Sequence, residues 1–314
     1  MKTEQPLWGR GIMVSPQHFQ QQAAYAAWSA EGIAQMSLSH PWGVIEAAFE
    51  QNMLKLGRLQ ASRLHIRFQD GTLVDSDNAD GLPSVLSLEG ESHETIVVLA
   101  LPLWRANGGN CLKPDEAAER PVRYRQRWHD VRNQFGDDNR QIAVLQPELS
   151  LRFAHQNNSD YLTCPVARLQ QDSQGVWTLD DSFLPPLLSV RSSRWLMKQL
   201  DQLMTQLRAR LIRLMAMRRE SNERMADFAV ADVSLFWLLN ALNSAEPVLA
   251  QFQRFPQNAV ERLFPELARL AGGLLTFSLE HQVSAIPAYQ HEHLNAVFPP
   301  LFDLLSDLLE ASLP

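Results

Sequence analysis

From Leu54 to about Thr178 apolar and polar residues alternate in short runs, whereas after residue 190 apolar residues recur every three or four positions. The first pattern is that of strands with one buried face, the second that of helices. Leu59 to Phe68 ends at Asp70-Gly71, and Asp80-Gly81 follows ten residues on. Both dipeptides supply the positive φ of a tight hairpin turn. Glu94 to Leu101 is dense in β-branched residues, and Val122 to Val131 alternates apolar or aromatic with polar residues, so both are expected strands. Gln141 to Leu145, Leu149 to Ala154, Leu162 to Leu169 and Val176 to Leu179 add four more. About eight short strands at this spacing predict an antiparallel β-sandwich or a partly closed barrel.

Phe183 to Val190 changes the pattern. Pro185 and Pro186 suit neither a central strand nor a helix interior, and are expected to form a rigid extended crossing. Ser192 or Ser193 can then cap a helix reaching about Met225, in which Leu196, Leu200, Leu203, Leu207, Leu211 and Leu214 line one face. Such a helix is a rod of roughly 50 Å, too long to stand without partner helices. Asp232 to Asn243 reads as a helix apolar nearly all round. Asn258 to Ala271 is expected to stop at Gly272-Gly273, a carboxy-terminal cap. The last helix opens with Pro299-Pro300 and aligns Leu301, Leu304, Leu305, Leu308 and Leu309. The fold class expected is α+β and multidomain, an amino-terminal antiparallel β-sandwich followed by an α-helical bundle.

Composition alters this picture little. The chain has 314 residues, 45% apolar and 20% charged, which suits two globular domains and excludes a disordered or fibrous chain. Two cysteines, Cys111 and Cys164, fit a reduced compartment. Met1 to Arg10 lacks the apolar core of a secretion signal, and no apolar stretch approaches the roughly 20 residues of a membrane span. The net charge of −7 opposes nucleic-acid or anionic-membrane binding. That sum hides a basic helix: Arg191 to Met225 holds nine basic residues against three acidic ones, while the rest of the carboxy-terminal part is acidic enough to neutralise it.

Catalytic chemistry finds no foothold. Gly9 and Gly11 are two glycines of a dinucleotide fingerprint without the third, and no phosphate loop, nucleophile elbow or zinc-protease motif occurs. His291-Glu292-His293 lacks a third metal ligand and is expected to bond near the turn after Pro287 or to cap a helix. Asp137-Asp138 and Asp180-Asp181 read as turn residues, and His18 as a packing residue. No metal, cofactor or catalytic residue is expected. The amino terminus is unusual for another reason: Trp8, Phe19, Tyr25 and Trp28 place four aromatics where chains are normally frayed and polar, so the core or another subunit should bury them.

Residues 8–21 (WGRGIMVSPQHFQQ) resemble the opening signature of the TssK family, baseplate subunits of type VI secretion systems. Three further segments agree in order. They are Trp42-Gly43-Val44 with Leu54 and Gly57, then Phe183-Leu184-Pro185-Pro186, then Pro287-Ala288-Tyr289-Gln290-His291 with Leu294 and Phe298. The resemblance implies a structural adaptor similar to phage receptor-binding proteins: an extension over 1–18 that docks on neck or wedge, a β-sandwich shell over 19–182, and a helical neck over 183–314 joining three protomers. It implies a cytoplasmic homotrimer at the inner face of the inner membrane, bound to the wedge proteins TssF and TssG. TssL and TssM of the membrane complex would be reached through a carboxy-terminal head, which would follow the Leu301 to Leu309 helix and is expected to be missing here. Wedge binding or neck docking then falls to Trp8, Ile12, Pro16 and Phe19. The trimer interface falls to Leu196, Leu200, Leu203, Leu207, Leu211, Leu214, Phe236 and Trp237. A phage-type receptor- or carbohydrate-binding protein would share this architecture, with Trp104, Trp128 and Trp177 as possible glycan platforms.

Overall fold

A computed structural model describes residues 3–78, 81–223 and 230–311. The chain opens as an extended arm that leads into helix α1, Pro16–Ser37. Strands and short helices follow as β1 (Gly43–Phe49), α2 (Gln51–Leu54), β2 (Arg58–Leu59), β3 (Ala61–Arg67), β4 (Leu73–Asp75), β5 (Leu86–Ser87) and β6 (Glu94–Pro102). Then come β7 (Cys111–Leu112), β8 (Tyr124–Arg132), β9 (Asn139–Pro147), β10 (Ser150–Phe153), β11 (Tyr161–Gln171) and β12 (Trp177–Leu179). The helical part is α3 (Arg194–Glu223), α4 (Val230–Arg254), α5 (Val260–Leu275) and α6 (Phe298–Glu310).

The strands form four small sheets, in the orders β1-β3-β4, β10-β6-β11-β12, β2-β5 and β7-β8-β9. Their pairings are antiparallel except the two-residue β7–β8 contact. The Asp70-Gly71 turn joins β3 to β4 as expected, with Gly71 at φ 88°. Asp80 of the second expected turn lies outside the described residues. Leu64, Ile66 and Val74 of the first sheet, with Phe68 at its turn, share one continuous apolar core with Val97, Leu99, Leu101, Cys164 and Leu169 of the second. β6 is buried along nearly its whole length, which is why it reads as a continuous apolar run.

Helix α1 departs from the sequence expectation. A sandwich was expected from residue 19 on, with a boundary at 18, yet His18 lies in the first turn of this helix and residues 19–37 are helical. The local cause is favourable: Pro16 begins the helix, Ser15 and His18 cap it, and alanines and glutamines fill it. No residue of α1 is buried, so no core-facing period marked it in the sequence.

Ser193 caps α3 as expected, its Oγ accepting from the Leu196 N–H at 3.1 Å. The expected end near Met225 lies outside the described residues. α4 continues well past Asn243, through Pro247, because Leu249 and Phe252 still face the core. Gly272-Gly273 is not a cap. α5 runs through both to Leu275; a Cβ at Gly273 would make an ordinary contact with the Ala241 Cβ of α4 at 3.6 Å, and one at Gly272 would meet nothing within 4 Å. Leu196, Leu200, Leu203, Leu207 and Leu214 are buried within this chain and Leu211 partly so, on a helix that packs against α4 and α6. Among the described residues no helix is long and apolar enough to cross a membrane.

Candidate functional site and exposed surfaces

Three sequence segments that lie far apart meet where the sheets join the helices. The Val44 N–H donates to the Pro186 carbonyl at 2.7 Å, and the Leu188 N–H donates to the Val44 carbonyl at 3.1 Å. Gly43 makes this possible: its φ is +132°, and a Cβ there would lie 2.6 Å from the Pro186 oxygen. From the other side, His291 Nε2 donates to the Trp42 carbonyl at 2.7 Å. A carbonyl only accepts, so Nε2 carries the proton and Nδ1 accepts from the Tyr289 hydroxyl at 2.6 Å. The His40 ring stacks on His291 with centroids 4.9 Å apart, and Glu261 of α5 accepts from the His40 N–H at 3.2 Å. Asn295 clasps the proline segment, accepting from the Leu184 N–H at 2.7 Å and donating to the Ser182 carbonyl at 2.9 Å. Burial pushes the His291 imidazole below its ordinary pKa, against the opposing pull of the Trp42 carbonyl. The junction is a packed interlock of hydrogen bonds and stacked rings that ties the sheets to the helices.

The arm and α1 present the opposite character. Glu4 accepts from Gln21 Nε2 at 2.8 Å, and the Trp8 ring lies 5.7 Å from His18 and 6.0 Å from Phe19, so the arm folds back along the helix. Around that hinge Trp8 is 50% exposed and Phe19 63%, with Ile12 and Pro16 also exposed. At its far end α1 is tied to the body by an ion pair between Glu31 and Arg67. Ile33 and Met36, which the sequence reading passed over, extend the exposed apolar surface. The aromatic cluster is therefore not covered by the chain's own core.

A second uncovered surface lies on α3 and α4. Arg208 pairs with Glu246 at 2.9 Å, and Gln253 donates to Asp201 at 2.8 Å, so the two helices run antiparallel. The second half of α3 thus lies beside the first half of α4. At that end Phe236 (55%) and Trp237 (57%) are exposed together with Val233, Ile212, Met215 and Met217. Of the stretch read as apolar nearly all round, Leu235, Leu238, Leu239 and Leu242 face inward, and Phe236 and Trp237, expected at a trimer interface, face out. Ile212 and Met215 fall off the leucine stripe, three residues apart, and that offset is the signal by which they could have been found.

The remaining candidates serve local structure. His18 Nδ1 accepts from the Ser15 N–H at 3.1 Å. Asp137 binds Arg132 at 2.8 Å, and Asp138 accepts from Asn133 at 2.8 Å, both at the tip of the β8–β9 ribbon. Burial pushes the Asp180 carboxyl up, but hydrogen bonds from Ser182 and Arg168 outweigh it and hold the group below its usual range. Cys164 is fully buried, and burial pushes its thiol pKa far up. His291 and His293 have no metal-binding group of three around them among the described residues. Of the tryptophans considered for glycans, Trp104 and Trp128 are exposed but Trp177 is buried.

The family model described as bacterial type VI secretion, covering EvfL, ImpJ and VasE, matches residues 18–314. The chain is 27% identical to the type VI secretion system baseplate component TssK1 of Pseudomonas aeruginosa, over 96% of this chain and 68% of that protein. Two solved structures are more similar. One is a chain of the TssK-TssF-TssG baseplate subcomplex, 50% identical with TM-score 0.92, covering 99% of this chain and all of that one. The other belongs to the baseplate complex of the type VI secretion system, 54% identical with TM-score 0.94, covering 100% of this chain and 71% of that one. With a whole-length match in sequence and in fold, the chain belongs to this type VI secretion family, the TssK baseplate components.

Proposed function

We propose that this chain is a trimeric adaptor of the type VI baseplate that holds TssF and TssG through its amino-terminal arm and α1. The observation carrying this reading is a capped helix of 22 residues with none buried, on which exposed Phe19 and Trp28 lie and along which the arm lays exposed Trp8. Exposed aromatic clusters on ordered elements are the usual anchors of protein interfaces. The whole-length likeness to a chain solved with TssF and TssG supplies the partner. Trp8, Ile12, Pro16 and Phe19 are the docking residues, extended by Ile33 and Met36.

Trimer formation belongs in this account to the exposed end of the α3–α4 pair, with Phe236 and Trp237 at its centre. The leucines of α3 support it from behind, since their burial holds the two helices together. Three copies then offer three arms, and multivalent attachment strengthens contacts that are individually weak. Placement at the cytoplasmic face of the inner membrane and linkage to TssL and TssM complete the reading; no described residue is assigned to that linkage.

Deleting residues 1–14 tests the arm while leaving the Ser15–His18 cap in place. The expected result is loss of co-purification with TssF and TssG, with thermal stability and oligomeric mass unchanged. Retained binding would contradict the assignment.

A further inference from the structure

The β8–β9 ribbon leaves the body of the protein. Its base is fixed: Arg123 is buried and bonded to Asp70 and Thr72, each at 2.6 Å, and Arg125 pairs with Glu148 at 3.0 Å and donates to the Lys113, Pro114 and Glu116 carbonyls. Every residue over 128–143 is exposed, up to Phe135 at the tip. Beyond the two-residue β7 contact at its base the ribbon has only two strands, and such a ribbon with no covering surface is marginal in water, so this one is built to be covered.

The register separates its two faces. Arg127 lies opposite Val144, His129 opposite Ile142 and Val131 opposite Arg140, which puts these six side chains on one face. Asp130, Trp128 and Gln141 lie on the other. The first face is therefore an apolar strip of Val131, Ile142 and Val144 flanked by cations, with no carboxylate on it. Whereas Arg123, Arg125 and Arg132 each pair with an acid, Arg127 and Arg140 have no ion-pair partner among the described residues. The Arg127 Nε–H is enclosed without an acceptor, an omission that folded proteins rarely leave.

We propose that this face takes an extended acidic segment of a baseplate partner, whose carboxylates meet Arg127 and Arg140 and whose apolar side chains cover Val131, Ile142 and Val144. The inference rests on the baseplate reading above and adds a second, electrostatic contact to the apolar one made by the arm. A cationic face complements an acidic partner, and opposite charge raises association rate and selectivity more than a purely apolar strip would.

The test measures binding of the full chain to the TssF–TssG complex of the same bacterium at about 50 mM and about 200 mM salt. Arg127→Glu with Arg140→Glu is expected to weaken binding at low salt by about ten-fold or more and to flatten its salt dependence. Ile142→Thr should weaken binding at both salt concentrations, and Gln141→Ala on the other face should leave it within about two-fold, with melting curves of all variants superimposable. Wild-type-like affinity of the charge-reversed protein overturns the inference. So does a loss confined to self-association, which would make a second copy the occupant. If the wild-type chain itself fails to bind, the baseplate reading falls, and the inference with it.

Discussion

His291 reaches a carbonyl 249 residues away in sequence, and the consequences of that contact are measurable. Burial depresses the folded-state pKa of this imidazole, so between that value and the ordinary 6.5 the unfolded chain binds more protons than the folded one. Stability is therefore full above about pH 6.5 and falls as pH drops toward the lower folded value. Urea unfolding should show the wild type losing stability over that window while His291→Gln, which does not titrate, starts lower and loses less. Identical slopes in the two proteins would show that the junction is not the titrating locus. Gly43, Pro186, Trp42 and His291 each look ordinary in the sequence. Their geometric necessity becomes visible only when the chain is folded, where three of the four family-like segments meet at this junction.

Elements differ in how legible they were. β6 and β11 were recognisable because one or both of their faces are buried, and β8 because its apolar and polar residues alternate although none of them is buried. α1 was missed because it contributes nothing to the core, and hydrophobic periodicity reports only burial. The leucine stripe of α3 was read correctly as a buried face, but periodicity does not say whose helices cover it. In the fold α3's own chain covers it, and the uncovered apolar residues lie on the adjoining flank of the α3–α4 pair. The two surfaces can be separated by mutation. Leu207→Ala should lower unfolding free energy by about 2 to 5 kcal/mol through a core cavity. Trp237→Ser should leave unfolding of the single chain nearly unchanged and reduce association instead, as seen by light scattering across a dilution series. A trimer insensitive to Trp237→Ser would move the interface elsewhere.

At the scale of the molecule, one apolar core runs from the sheets through Leu184, Leu187 and Val190 into the helices. In the proposed assembly, force applied at the α3–α4 end would thus be carried by a continuous packed body. The charge partition read from the sequence is met only in part: Arg208–Glu246 is the ion pair linking α3 to α4 among the described residues, and much of the basic character of α3 stays at the surface. Neither the arm nor the ribbon is covered by the chain itself, and both point to an assembly larger than one copy. In the proposed assembly three copies act together on the baseplate wedge. Size-exclusion chromatography with light scattering on the chain mixed with TssF and TssG measures this directly. Three copies of the 35.6 kDa chain are expected to co-elute with both partners; a separate peak at the mass of one copy, with TssF and TssG eluting apart, would contradict the proposed assembly.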